Sequence, residues 1–101
     1  MQFKLQFKLQ FSEQAKLSLL QLKQDKSKKG LLKQVNRILG FMETNLKHPL
    51  LHTHKFSEIT CKLGDVFESY AQNNTPGAYR IFWAYGPGKR EIYILQIAPH
   101  A

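Results

Sequence analysis

The chain has 101 residues, 43% of them hydrophobic and 12% aromatic, and carries a net charge of +8. That length supports one domain over residues 1–101 with a modest core. No apolar run approaches the roughly 20 residues of a membrane span, the N-terminal segment lacks the apolar core of a signal peptide, and a lone cysteine, Cys61, makes no internal disulfide. The expectation is a cytoplasmic protein with no membrane attachment.

The charge is uneven. Residues 1–62 hold twelve Lys and Arg against four Asp and Glu, whereas residues 63–101 hold three of each. Asymmetry of this kind fits nucleic acid or another acidic partner; a solvated lysine-rich helix face is the plainer reading.

Residues 2–11, QFKLQFKLQF, alternate without a break, so Phe3, Leu5, Phe7, Leu9 and Phe11 share one face of a half-buried strand. An open edge of that kind invites aggregation, so the strand is expected inside a sheet, with Lys4 and Lys8 guarding its exposed side. Ser12 is a natural N-cap and Glu13 suits the first helical turn. Ala15, Leu19 and Leu22 give a helical stripe to about Lys26, and the polar DKSKKG segment (25–30) follows. Leu31, Val35, Ile38, Leu39, Met42 and Leu46 recur at spacings of three and four, which predicts a second helix ending at Asn45 or Lys47, before Pro49. Two amphipathic helices joined by a short connection predict an antiparallel hairpin.

Residues 47–64 show no clean period and read as a long loop. Strands are predicted over 65–71, 78–85 and 91–97, separated by the turn-forming NNTPG and GPGKR. The element order is β-α-α-β-β-β, an α+β fold with an antiparallel meander packed against the helical hairpin.

Phosphate-cradling glycine loops, a GxSxG elbow and the HExxH or CxxC metal motifs are absent from the sequence. His48, His52, His54 and Cys61 fall close together in the chain, yet lack the paired spacing of a zinc site; loop polarity with a buried thiol is the plainer reading. Arg80 lies in the most apolar strand, where a charge needs a partner. It either pairs with Glu68 or Glu91, or offers a fixed guanidinium to a phosphate. His100 follows the last strand, and an imidazole can donate or accept a proton near neutral pH. Of Tyr79, Trp83, Tyr85 and Tyr93, two are expected inside and the others open to a base.

HPLLHTHKF (48–56), GAYRIFWAYGP (77–87) and EIYILQIAPH (91–100) resemble the loop, central strand and closing strand of the RelE/ParE toxin superfamily, and the resemblance covers essentially the whole chain. It implies a type II toxin–antitoxin toxin with an antitoxin protein as partner, and a metal-independent endoribonuclease acting on ribosome-bound mRNA without any cofactor. Carried onto this sequence, it implies Arg80 on the scissile phosphate and, by similarity to the YoeB-like branch, His100 as general acid. His52, His54 or Lys55 would supply the base, His54 foremost, with Lys55, Lys62, Arg90 and Tyr85 holding RNA. The pattern departs in two places. Ala101 stands where that branch ends in tyrosine, and Glu68 and Tyr70 stand near the positions of two lysines. The alternative is a non-catalytic member of the same fold, a gyrase inhibitor or a nucleic-acid-binding protein.

Overall fold

The computed structural model describes residues 5–72 and 77–99. Ser12 caps the first helix, α1 (Glu13–Gln24): its hydroxyl accepts from the Ala15 amide at 3.0 Å and donates to the Leu95 carbonyl at 2.7 Å. One side chain thus starts the helix and ties it to the sheet. A 3-10 turn over Lys26–Lys28, with Asp25 at its head, leads into α2 (Lys29–Thr44), which ends at Asn45 as its sequence period predicts.

Five strands form a single sheet: β1 (Lys8–Phe11), β2 (His54–Cys61), β3 (Gly64–Tyr70), β4 (Tyr79–Tyr85) and β5 (Glu91–Pro99), in spatial order β1-β5-β4-β3-β2. β1 runs parallel to β5 and every other pair is antiparallel, so the sheet is mixed. The first strand joins the same sheet as the last three, as expected, but it stands at the edge of the sheet rather than inside it, beside β5. Phe3 and Lys4, read into it from the sequence, lie outside the described residues. Within the described residues this strand is shorter than the alternation suggests, because the amides of Gln6 and Phe7 turn away to the Glu43 carbonyl at the end of α2.

The segment 47–64 is not one long loop. A 3-10 turn at Pro49–Leu51 leads directly into β2, which pairs with β3 through a tight turn at Lys62 and Leu63. Gly64 closes that turn at φ +115°, a conformation that suits glycine. β2 is an outer strand, exposed along most of its length, and its pairing shifts register between Lys55 and Thr60. Exposure on both faces removes the apolar alternation by which a strand is recognised.

Both helices cover one face of the sheet. Ala15 and Leu22 of α1 and Val35, Ile38, Leu39 and Met42 of α2 pack on Ile81, Trp83, Ile92, Ile94 and Ile97. Among the four aromatic residues in question, Trp83 is fully buried and Tyr79 packs against this core, while Tyr85 stays half exposed. Among the described residues, no helix covers the opposite face. No helix among the described residues is long and apolar enough to cross a membrane.

Candidate active site

Strand alternation decides what the uncovered face presents. Tyr70 pairs with Arg80, Glu68 with Phe82, and His54 with Glu68. With a side-chain period of two, these residues share one face. His54, Glu68, Tyr70 and Arg80, together with Lys55, Phe56, Ser57 and Glu58, line a shallow cavity of about 370 Å³. Phe56, which lines it, meets Phe82 edge to face at 5.2 Å.

Arg80 is the cation of this cluster and is only 3% exposed. Its guanidinium lies 3.8 Å over the Tyr70 ring, a cation–π contact, and its Nη1 stands 3.4 Å from Glu68 Oε1. A charge-assisted hydrogen bond is shorter, near 2.7–2.9 Å, so through this contact Glu68 neutralises Arg80 by proximity rather than by gripping it. The pairing expected with Glu68 or Glu91 is therefore made with Glu68. Glu91 is engaged at the other end of β5, accepting from Gln10 and from the Gly88 amide.

The same Glu68 oxygen accepts from His54 Nε2 at 2.6 Å. His54 is half exposed while Glu68 is buried, so the carboxylate forms the floor and the imidazole forms the rim. His54 Nδ1 lies 3.2 Å from the His52 carbonyl oxygen. Both histidine rings flank Tyr70, His54 edge-on at 5.8 Å and His52 tilted at 5.6 Å. The result is a carboxylate–imidazole pair beside a fixed guanidinium, held in place by an aromatic ring.

Of the residues singled out in the sequence, Arg80 and His54 come together here, joined through Glu68. Ala98 pairs with Arg80 across β4 and β5, so β5 runs past the cluster toward His100, which lies outside the described residues. Lys55 neighbours the site, but its amine pairs with Asp65 at 3.4 Å. Lys62, Arg90 and Tyr85 lie elsewhere. Lys62 is in the β2–β3 turn, Arg90 in the β4–β5 turn, and Tyr85 five positions along β4 from Arg80, roughly 17 Å at strand rise. Tyr85 also packs on the helix-covered side, against Trp83 and Phe67. His48 stacks on Phe41 at 3.9 Å, and among the described residues no three His, Cys, Asp or Glu side chains group to hold a metal ion.

Glu68 is one of the two partners expected for Arg80, but its link to His54 is not expected from the sequence. Tyr70 stands out in the sequence only as a replacement for a lysine, whereas in the fold its ring stacks under Arg80. The signal was present in GDVFESY: alternation puts Glu68 and Tyr70 on one face, and only the register with β4 reveals that Arg80 shares it.

No protein-family model matches the chain, and no curated protein does. Solved structures do. The fold is similar to the YoeB dimer of Staphylococcus aureus, at 16% identity over 95% of this chain and 99% of that one, with a TM-score of 0.64. It is similar to the archaeal RelE–RelB complex of Pyrococcus horikoshii, at 14% identity over 93% and 94% of the two chains, TM-score 0.65. It is also similar to a YoeB/ParE toxin of Agrobacterium tumefaciens, at 7% identity over 94% of this chain and 100% of that one, TM-score 0.69. The chain thus has the α+β fold of RelE-, YoeB- and ParE-type toxins.

Proposed function

We propose that this protein is a toxin of a type II toxin–antitoxin system, an endoribonuclease that cleaves mRNA, with ribosome-bound message as the expected substrate. The observation that carries this reading is the Arg80–Glu68–His54 cluster on the helix-free face of a toxin-type fold. Support for an antitoxin partner comes from the similar RelE structure, which is a RelE–RelB complex, and from the +8 charge, which favours an acidic covering segment.

The proposed chemistry uses these side chains together with His100. Both ring nitrogens of His54 face acceptors, Nε2 the Glu68 carboxylate and Nδ1 the His52 carbonyl, so to act as the base the ring keeps Nε2–H on Glu68 and turns a deprotonated Nδ1 from the carbonyl to the substrate. Nδ1 takes the proton of an RNA 2′-hydroxyl, and the 2′-oxygen bonds to the adjacent phosphorus. The bond from phosphorus to the 5′-oxygen breaks, and His100 protonates that oxygen. The products are a 2′,3′-cyclic phosphate and a 5′-hydroxyl. Arg80 stabilises the charge that develops on the phosphoryl oxygens.

Arg80→Ala is a poor first test, because a buried cation is paired with a buried carboxylate, and removing one partner of such a pair costs about 3–5 kcal/mol in stability. His54, half exposed, is the better target. His54→Ala and His100→Ala are each expected to slow cleavage by on the order of 10²–10⁴ while the fold persists. Primer extension on mRNA from expressing cells reads the cleavage, and thermal melting checks the fold.

One observation favours a second reading. Glu68 sits against both Arg80 and His54 and offsets their charge, which suits a structural cluster in a non-catalytic protein, gyrase-directed or nucleic-acid-binding. If both histidine variants fold and inhibit growth like the parent, the nuclease reading fails and this one replaces it.

A further inference from the structure

Behind Tyr70, a second cavity of about 570 Å³ opens between α2 and the end of β3, within the size range of small-ligand sites. Gln34, Arg37, His52, Thr53, Tyr70 and Gln72 line it, and among the described residues no Asp or Glu does. It shares Tyr70 and His54 with the active-site cavity, so a strand leaving Arg80 can enter it directly.

Three features suit it to a nucleotide. His52 is exposed and held with φ +46°, a left-handed conformation uncommon outside glycine, which places its ring beside Tyr70. Arg37, on the exposed side of α2, supplies a cation without a carboxylate among the cavity's lining residues. Gln72 has its orientation set, since its Oε1 accepts from the Tyr79 amide at 2.7 Å, so the carboxamide offers its NH₂ as a donor.

We infer that this cavity seats one base of the single-stranded RNA next to the cleaved phosphate, stacked on His52, with its phosphate on Arg37 and an exocyclic carbonyl oxygen on Gln72. The inference deepens the RNA-cleaving reading and rests on it. Stacking on a ring is open to any base, whereas the Gln72 donor favours guanine, uracil or cytosine over adenine, which lacks a carbonyl.

The test is an abasic scan. Fluorescein-labelled single-stranded RNA hexamers, each lacking one base at a different position, are titrated against the full chain by fluorescence polarisation. The parent should lose about tenfold in affinity when one particular base is missing. His52→Asn keeps a residue tolerant of left-handed backbone and removes most of the stacking surface. It should bind intact RNA about tenfold more weakly, and bind the critical abasic hexamer no more weakly than that. Arg37→Gln, on an exposed helical position, should weaken binding to every hexamer alike. A flat scan, or an abasic penalty that persists in full in His52→Asn, overturns the inference while leaving the RNA-cleaving reading standing if the parent still binds and cleaves RNA. A parent that binds no RNA overturns both.

Discussion

A single hydroxyl shows how closely the candidate site is joined to the core. Ser69 is fully buried and neighbours Glu68, but strand alternation turns it to the helix-covered side. There its hydroxyl accepts from Trp83 Nε1 at 2.9 Å and meets Thr53 Oγ1 at 2.7 Å. Trp83 is the largest fully buried side chain, and Thr53 leads into His54. One oxygen thus satisfies the indole N–H and anchors the start of β2, on which His54 depends. Ser69→Ala leaves the indole donor buried without this acceptor, which costs about 1–3 kcal/mol. Chemical denaturation should read that loss as a lower midpoint at unchanged slope. Because Thr53 also loses its partner, the His54 imidazole should become more mobile, visible as broadened ring resonances in NMR spectra.

At the scale of elements, the turn between the helices carries a pH signature. Asp25 accepts from the Ser27 hydroxyl at 2.6 Å and the Ser27 amide at 3.0 Å, and these bonds, the side-chain one foremost, hold its carboxyl below the ordinary carboxylate value. A depressed folded-state value means that the ionised form stabilises the fold above the ordinary carboxylate range, and that this contribution is lost as pH falls through the lowered value. Melting curves of the parent and Asp25→Ala should therefore differ at neutral pH and converge in acid. This turn was legible in the sequence, as were both helices, because the spacing of apolar residues and the cap at Ser12 are local signals. The β4 and β5 strands were legible for the same reason, being rich in branched and aromatic residues. β2 was not. HKFSEITC is exposed on both faces and joined to the sheet by backbone bonds that any side chains permit. The candidate site was half legible for a related reason. Arg80, His54 and the two possible partner carboxylates could be picked out by type, but that Glu68 rather than Glu91 sits between Arg80 and His54 follows from a register across three strands, and register is a long-range property.

For the whole molecule, the sheet fixes where charge and chemistry meet. β4 begins and β5 ends at the edge that carries Arg80, and the tip of the helical hairpin lies against the same end. Lys28 Nζ stands 5.8 Å from the centroid of the Tyr79 ring, and a small cavity there is bounded by Asp25, Lys28, Tyr79 and Pro99. Lys23, Lys26, Lys29 and Lys33 flank that tip in sequence, with Asp25 as the acid among them. The excess positive charge of residues 1–62 is thus concentrated, through this hairpin, at the end of the sheet that carries the candidate site rather than spread over the far turns that hold Lys62 and Arg90. Arg80 faces the opposite side of the sheet, so a polyanion drawn to the hairpin meets the same end of β4 and reaches Arg80 around that end. Binding of single-stranded RNA releases about 0.7 counterion per phosphate neutralised, so replacing Lys26, Lys28 and Lys29 by Gln should flatten the slope of log affinity against log salt by roughly 2. Replacing Lys62, Lys89 and Arg90 by Gln at the opposite end should leave that slope nearly unchanged. Equal effects from the two sets would mean that the strand crosses the whole sheet, and a larger effect from the second set would place the RNA at the wrong end for Arg80 to act on it.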